Sequence, residues 1–221
     1  MKISFSTLGC PEFGWRDIYS LAKDFGFDGI EVRGLGDKRF TGPAQPLSEE
    51  QWPQTKKKLE ELRLEISCLS SGCCLKFAEK AEENHKELVR YITLAGKLGT
   101  PYIRILGDSE PQPTGDVDDQ VVLAALRRLI PIAEANQVTL LVETCGDYAD
   151  TKRLGNLLNQ VASDAIGALW DIHHPYRFTG ETPEQTVQNL GAYIKYAHVK
   201  DSVVIDDAIQ YRMLGEGDLP I

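Results

Sequence analysis

The 221 residues contain no apolar run that approaches the roughly 20 residues of a membrane span. That excludes a helical membrane anchor as a reading of the sequence, and no membrane partner is expected. The start, Met1-Lys2-Ile3-Ser4-Phe5, lacks the basic-then-apolar layout of a secretion signal and runs straight into a strand pattern. A cytoplasmic protein is therefore expected. An excess of positive charge is also missing. The formal net charge is −9, which argues against a nucleic-acid partner, because phosphate backbones are bound by basic surfaces. The five cysteines are odd in number and form no evident disulfide framework. Cys73 and Cys74 are adjacent, so they do not have the Cys-x-x-Cys spacing of a zinc ribbon or redox pair. No Gly-x-Gly-x-x-Gly follows the first strand pattern, which counts against a dinucleotide-binding fold.

What is present is a repeated alternation. Short β-branched apolar runs at 3–8, 30–33, 66–69, 102–107, 139–143, 166–171 and 194–199 read as seven strands. Helical patterns fall between them, at Trp15–Phe25, from Leu47-Ser48 to about Arg63, and at Glu82–Leu98, Asp119–Ala135, Thr151–Val161 and Pro183–Leu190. Ser48 and Thr182 are candidate N-caps. Strand starts recur roughly every 27 to 37 residues, the length of a strand–helix unit. Such a series predicts a parallel sheet covered by helices, and seven regular units fit a (β/α)8 barrel better than an open sheet. A single α/β domain over 1–221 is expected. The chain stops at Leu219-Pro220-Ile221, where an eighth strand–helix unit would follow, so the barrel is expected to be incomplete at its C-terminal end.

In parallel α/β folds the strand C-termini and the loops after them build the active site. Glu143 ends the fifth strand, Asp171 the sixth, and the seventh ends in His198-Val199-Lys200-Asp201. Any one of these reads most simply as a helix cap or ion-pair partner. Three consecutive strands ending in Glu, Asp and His are harder to dismiss. Together they form a mixed oxygen and nitrogen donor set suited to Mn²⁺, Mg²⁺, Co²⁺ or Zn²⁺. Three protein ligands leave positions open for substrate, as a catalytic metal requires. Glu31 and Arg33 lie near the end of the second strand and Arg104 within the fourth. Arg33, Arg104 and Arg212 are candidates for a phosphate contact and equally for structural ion pairs. The loops 34–46 and 108–116 are the expected lid and specificity elements.

Five segments carry a family resemblance: Gly29-Ile30-Glu31-Val32-Arg33, Leu141-Val142-Glu143-Thr144, Trp170-Asp171-Ile172-His173-His174-Pro175, His198-Val199-Lys200-Asp201 and Leu214-Gly215-Glu216-Gly217-Asp218. In this order they resemble the sugar phosphate isomerase/epimerase family with the xylose isomerase-like TIM barrel. The resemblance implies that Glu143, Asp171 and His198 are three of four ligands to one divalent metal ion. It also implies that Glu143 is one of two catalytic carboxylates. His174 would contact a substrate hydroxyl or carbonyl, and Lys200 and Asp201 would shape the substrate end of the pocket. Glu31, Arg33 and Arg212 complete the expected substrate contacts. The family's fourth ligand, a Glu on the eighth strand, has no counterpart in these 221 residues.

The function expected from this resemblance is a metal-dependent isomerase or epimerase acting on a sugar or sugar phosphate through an enediolate. The alternatives are an inosose-type dehydratase on the same scaffold and a non-catalytic sugar-binding barrel. A homodimer or homotetramer would be in keeping with the family.

Overall fold

The computed structural model describes every residue except 37, 39 and 43. Those three fall in the expected lid segment 34–46, so that expectation lies partly outside the described residues. Seven strands form one sheet in strictly sequential order. They are β1 (Ser4–Ser6), β2 (Gly29–Val32), β3 (Glu65–Cys74), β4 (Tyr102–Leu106), β5 (Thr139–Glu143), β6 (Ile166–Asp171) and β7 (Ile194–His198). The pairs β1–β2, β2–β3 and β6–β7 are parallel. Among the described residues, six α-helices run between the strands: α1 (Trp15–Asp24), α2 (Trp52–Leu62), α3 (Ala81–Leu98), α4 (Asp119–Ala135), α5 (Thr151–Val161) and α6 (Pro183–Leu190). This is the expected strand–helix series of a TIM barrel through its seventh strand. An eighth parallel strand is not among the described residues.

By contacts the chain divides into two compact units, each built from several stretches of sequence. The first comprises 1–73, 82–105 and 129–140. Its core holds Ile18 and Ala22 of α1, Ile30 and Val32 of β2, and Leu88, Tyr91 and Ile92 of α3, all at most 1% exposed. Ile18 and Ala22 are spaced i, i+4, which puts both on one face of α1. The second unit comprises 74–81, 106–128 and 141–221. Leu141 and Val142 of β5, Leu154, Leu157 and Leu158 of α5, and Ala168 and Leu169 of β6 are buried there. Near-continuous apolar runs on β5 and β6 are what a parallel strand needs when both faces are covered.

Side-chain caps mark the starts of α5 and α6. The Asp150 side chain accepts the Arg153 N–H at the start of α5 (3.0 Å). The expected cap at Thr182 is a full capping box, in which Thr182 accepts the Gln185 N–H and the Gln185 side chain accepts the Thr182 N–H. Ser48 makes the expected capping contact, since its Oγ accepts the Gln51 N–H (3.4 Å) and its carbonyl the Trp52 N–H (2.8 Å), but the regular helix starts later than expected. Ser48 closes a 3₁₀ turn at Gln45–Leu47, and α2 begins only at Trp52, after Gln51. Pro53 accounts for the shift, because a proline is tolerated in the first turn of a helix but not further in.

One element was not foreseen. After β7 the chain forms an antiparallel hairpin of β8 (Asp201–Ile205) and β9 (Ala208–Arg212). Its two-residue turn, Asp206-Asp207, has φ of 50° and 60°. Positive φ at both central residues is the type I′ requirement, which Asp meets better than most residues. Among the described residues, no helix is long and apolar enough to cross a membrane.

Candidate metal centre

β5, β6 and β7 end in Glu143, Asp171 and His198. The β6–β7 register sets Asp171 directly opposite His198, and the Ile172 N–H donates to the His198 carbonyl (3.1 Å). Thr144 ties β5 to β6. Its N–H donates to the Leu169 carbonyl, its Oγ1 accepts the Asp171 N–H (2.9 Å) and donates to the Asp171 carbonyl (3.1 Å). These main-chain ties bring the three strand-end side chains together. Each offers one ligand atom, and the three atoms lie within 4.8 Å of one another. His198 Nδ1 is 3.4 Å from Glu143 Oε1.

The two oxygens of Asp171, which is fully buried, have different surroundings. Oδ1 accepts the His173 N–H (3.1 Å). Oδ2 accepts no main-chain or hydroxyl hydrogen. It faces the Lys200 ammonium, with which it forms an ion pair, and His174 Nε2 at 3.8 Å. A buried carboxylate oxygen without an amide or hydroxyl donor is a costly arrangement unless a cation is present. Two carboxylates and an imidazole also match the donor chemistry of Mn²⁺, Co²⁺ or Zn²⁺. By this donor chemistry the three residues fit a divalent ion.

Burial and charge act on the neighbouring side chains in different directions. His174 is 5% exposed, and its Nδ1 is 3.0 Å from the Thr144 carbonyl. A carbonyl only accepts, so Nδ1 carries the hydrogen. Burial lowers the His174 pKa against the opposing pull of Asp171, which favours the neutral ring; in that form Nε2 is the acceptor. Burial pushes the adjacent His173 down to about 4. Its Nε2 meets Ser202 Oγ (3.0 Å), to which Arg177 Nε also donates (2.9 Å), and its ring lies 5.4 Å from that of Tyr211. Burial alone would lower the Lys200 pKa, but the Asp171 carboxylate, with Glu143 behind it, outweighs burial and raises it. Lys200 is therefore an ammonium.

The other expected site residues have partners of their own. Asp201 is buried, and its carboxylate accepts the N–H groups of Ser202, Gly215, Gly217 and Leu219. It thus pins the Gly-Glu-Gly loop. The space is so close that a Cβ on Gly217 would lie 1.9 Å from Asp201 Oδ1. Arg212 is exposed on β9, where it donates to the Tyr211 carbonyl and the Gln210 side chain. Glu31 and Arg33 belong to the first unit, where Ser6 Oγ donates to Glu31 (3.0 Å). Arg104, also in that unit, is buried and donates to the Ser71 carbonyl (3.0 Å). The sequence reading gave no role to Thr144, Arg177 or Ser202. A threonine directly after a strand-end carboxylate was the available signal for the first of them.

A second group of carboxylates, Asp108, Asp116 and Asp147, also lies close together. The chain's own donors already satisfy it. Lys76 reaches Asp108 (2.8 Å) and Asp116 (2.9 Å), and Asp147 accepts three loop N–H groups and an Arg153 guanidinium hydrogen.

Residues 19–221 match the family model described as xylose isomerase-like TIM barrel. The chain belongs to that family. No curated protein matches the sequence. Solved structures show the same fold at low identity. The IOLI protein with a bound zinc atom superimposes with a TM-score of 0.81 at 18% identity, covering 100% of this chain and 81% of its own. 3-keto-D-glucoside 4-epimerase from E. coli gives 0.73 at 16% identity, covering 100% and 84%. The probable 3-DHS dehydratase of petrobactin synthesis from Bacillus anthracis gives 0.73 at 22% identity, covering 92% and 74%. The xylose isomerase-like barrel thus accommodates both an epimerase and a probable dehydratase among the structural neighbours of this chain.

Proposed function

We propose that this chain is a divalent-metal-dependent isomerase or epimerase acting on a sugar or sugar phosphate. The observation that carries the proposal is the meeting of Glu143, Asp171 and His198 at the ends of three successive strands, within 4.8 Å of one another. Those three residues would hold the ion, as Mn²⁺, Mg²⁺, Co²⁺ or Zn²⁺. When bound, it would supply a Lewis acid that stabilises negative charge on the substrate's oxygens.

The chain's own groups account for the rest of the chemistry. Isomerisation and epimerisation both begin with loss of a proton from a carbon next to a carbonyl, which gives an enediolate. Glu143, almost fully buried beside the other two strand ends, is the carboxylate that takes this proton. Neutral His174 accepts a substrate hydroxyl hydrogen at Nε2, which orients the sugar. Lys200 donates to a substrate oxygen. A proton returned from Glu143 to the same carbon after exchange with solvent leaves an isotopic trace even without net conversion.

The test follows from that trace. Ketoses and aldoses incubated in D₂O with Mn²⁺ should gain deuterium at the carbon beside the carbonyl, read by NMR. Glu143→Gln should lower the exchange rate by a factor on the order of 10² or more. Equal exchange in the variant would remove Glu143 from the role. The probable dehydratase among the structural neighbours favours a second reading, in which the same enolate expels a β-hydroxyl. A dehydrated product in the same NMR experiment would select it.

A further inference from the structure

We propose that Lys200 is a resident counter-ion that occupies the cation side of Asp171, and that uptake of a divalent metal displaces it. The inference rests on the metal reading above and goes beyond it. It assigns Lys200 a place in the metal-free protein and couples metal loading to the release of an ammonium.

Three observations support it. First, Oδ2 of the fully buried Asp171 has no amide or hydroxyl donor, so the Lys200 ammonium is its compensating charge. Second, Oδ2 belongs to the same carboxylate that joins Glu143 and His198 in the ligand cluster, so lysine and metal draw on one buried carboxylate. Third, Lys200 is not locked in place. Its side chain is 36% exposed, and Asp171 is its one ion-pair partner among the described residues. Lys76 provides the contrast. It bridges Asp108 and Asp116 with its side chain 9% exposed, as a structural lysine does.

Charge accounts for the coupling. Without metal, the ammonium offsets one of two adjacent buried carboxylates. A divalent ion replaces that compensation and repels an ammonium a few ångströms away. Lys200 then leaves Oδ2, and its three N–H donors turn to the nearest electron-rich group, an oxygen of the incoming substrate. Metal binding therefore precedes and arms the substrate contact.

The test uses Mn²⁺ alone, followed by EPR of the free ion, and thermal unfolding of the metal-free protein. Lys200→Met should bind Mn²⁺ at least tenfold more tightly than wild type and should unfold at a lower temperature without metal. Lys200→Arg, which keeps the charge, should show no such gain in affinity. Should the Met variant fold only with Mn²⁺ present, that outcome is the same effect at its extreme, and Lys200→Gln measured by chelator competition supplies the affinity. Wild-type Mn²⁺ binding with equal or weaker binding in the Met and Gln variants would overturn the role of Lys200 and leave the metal site standing. Absence of Mn²⁺ binding in all the variants and in wild type would overturn the metal reading and this inference together.

Discussion

Thr144 and Asp171 are joined in both directions by one hydroxyl: Thr144 Oγ1 accepts the Asp171 N–H at 2.9 Å and donates to the Asp171 carbonyl at 3.1 Å. Both residues are fully buried. The bridge fixes the end of β5 against the end of β6, and so sets the separation of the Glu143 and Asp171 side chains. Thr144→Val keeps the shape but leaves a buried N–H without its partner. A loss of about 1–3 kcal/mol is expected in urea unfolding, together with weaker Mn²⁺ binding. Unchanged stability and unchanged binding would show that the bridge positions nothing.

Gly146 permits a different close approach. Its φ is +60°, and a Cβ there would lie 2.1 Å from Asp108 Oδ2. Asp108 cannot easily yield, because Lys76 and the N–H groups of Ser109 and Asp147 hold it. Gly146→Ala should therefore cost at least about 2 kcal/mol, from left-handed strain and the clash together. Equilibrium unfolding in denaturant measures it.

Acid should loosen the loop before α4. Burial works to raise the Asp147 pKa, but the N–H groups of Gly115, Val117 and Thr114, with Arg153, hold it below the usual carboxylate range. A carboxylate depressed in the folded state stabilises above its unfolded pKa of about 3.9, and that stabilisation is lost as pH falls through the lower folded value. Corrected hydrogen-exchange protection of the Thr114, Gly115 and Val117 amides should thus be flat above about pH 5 and fall below about pH 4. Asp147→Asn should lower protection at neutral pH and flatten the profile.

Asp201 makes a prediction for proteolysis. Its carboxylate gathers four N–H groups, three of them from residues 215–219. An amide side chain has one acceptor oxygen where the carboxylate has two. Asp201→Asn should therefore free this loop and speed tryptic cleavage after the exposed Arg212, without changing cleavage elsewhere. Mass mapping of the early fragments decides the point.

The sequence was most legible where the physics is local. β5 and β6 occupy the predicted residues, because apolar β-branched runs leave little choice of state or register. Thr182 announced its helix as a candidate N-cap, and the structure adds Gln185 to complete a capping box. Ser48 marked the capping turn but not the start of the regular helix, because cap preference says nothing about Pro53 five residues on. The β8–β9 hairpin was missed because its turn is Asp206-Asp207 and lacks the glycine that usually marks one. Strand counting brought Glu143, Asp171 and His198 to one sheet end. It could not show that Lys200 folds back onto Asp171, because that contact is made by side chains across two strand ends.

The Asp206-Asp207 turn also separates what can vary from what cannot. Its two residues are exposed and take part in none of the strand-end ties, whereas the base of the same hairpin carries Ser202 and Tyr211 against His173. Lengthening an exposed turn costs little in chain entropy. The tip of the hairpin is thus a natural place for grafted sequence or drift between lineages, and new surface chemistry can be tried there without rebuilding the carboxylates and imidazoles beneath.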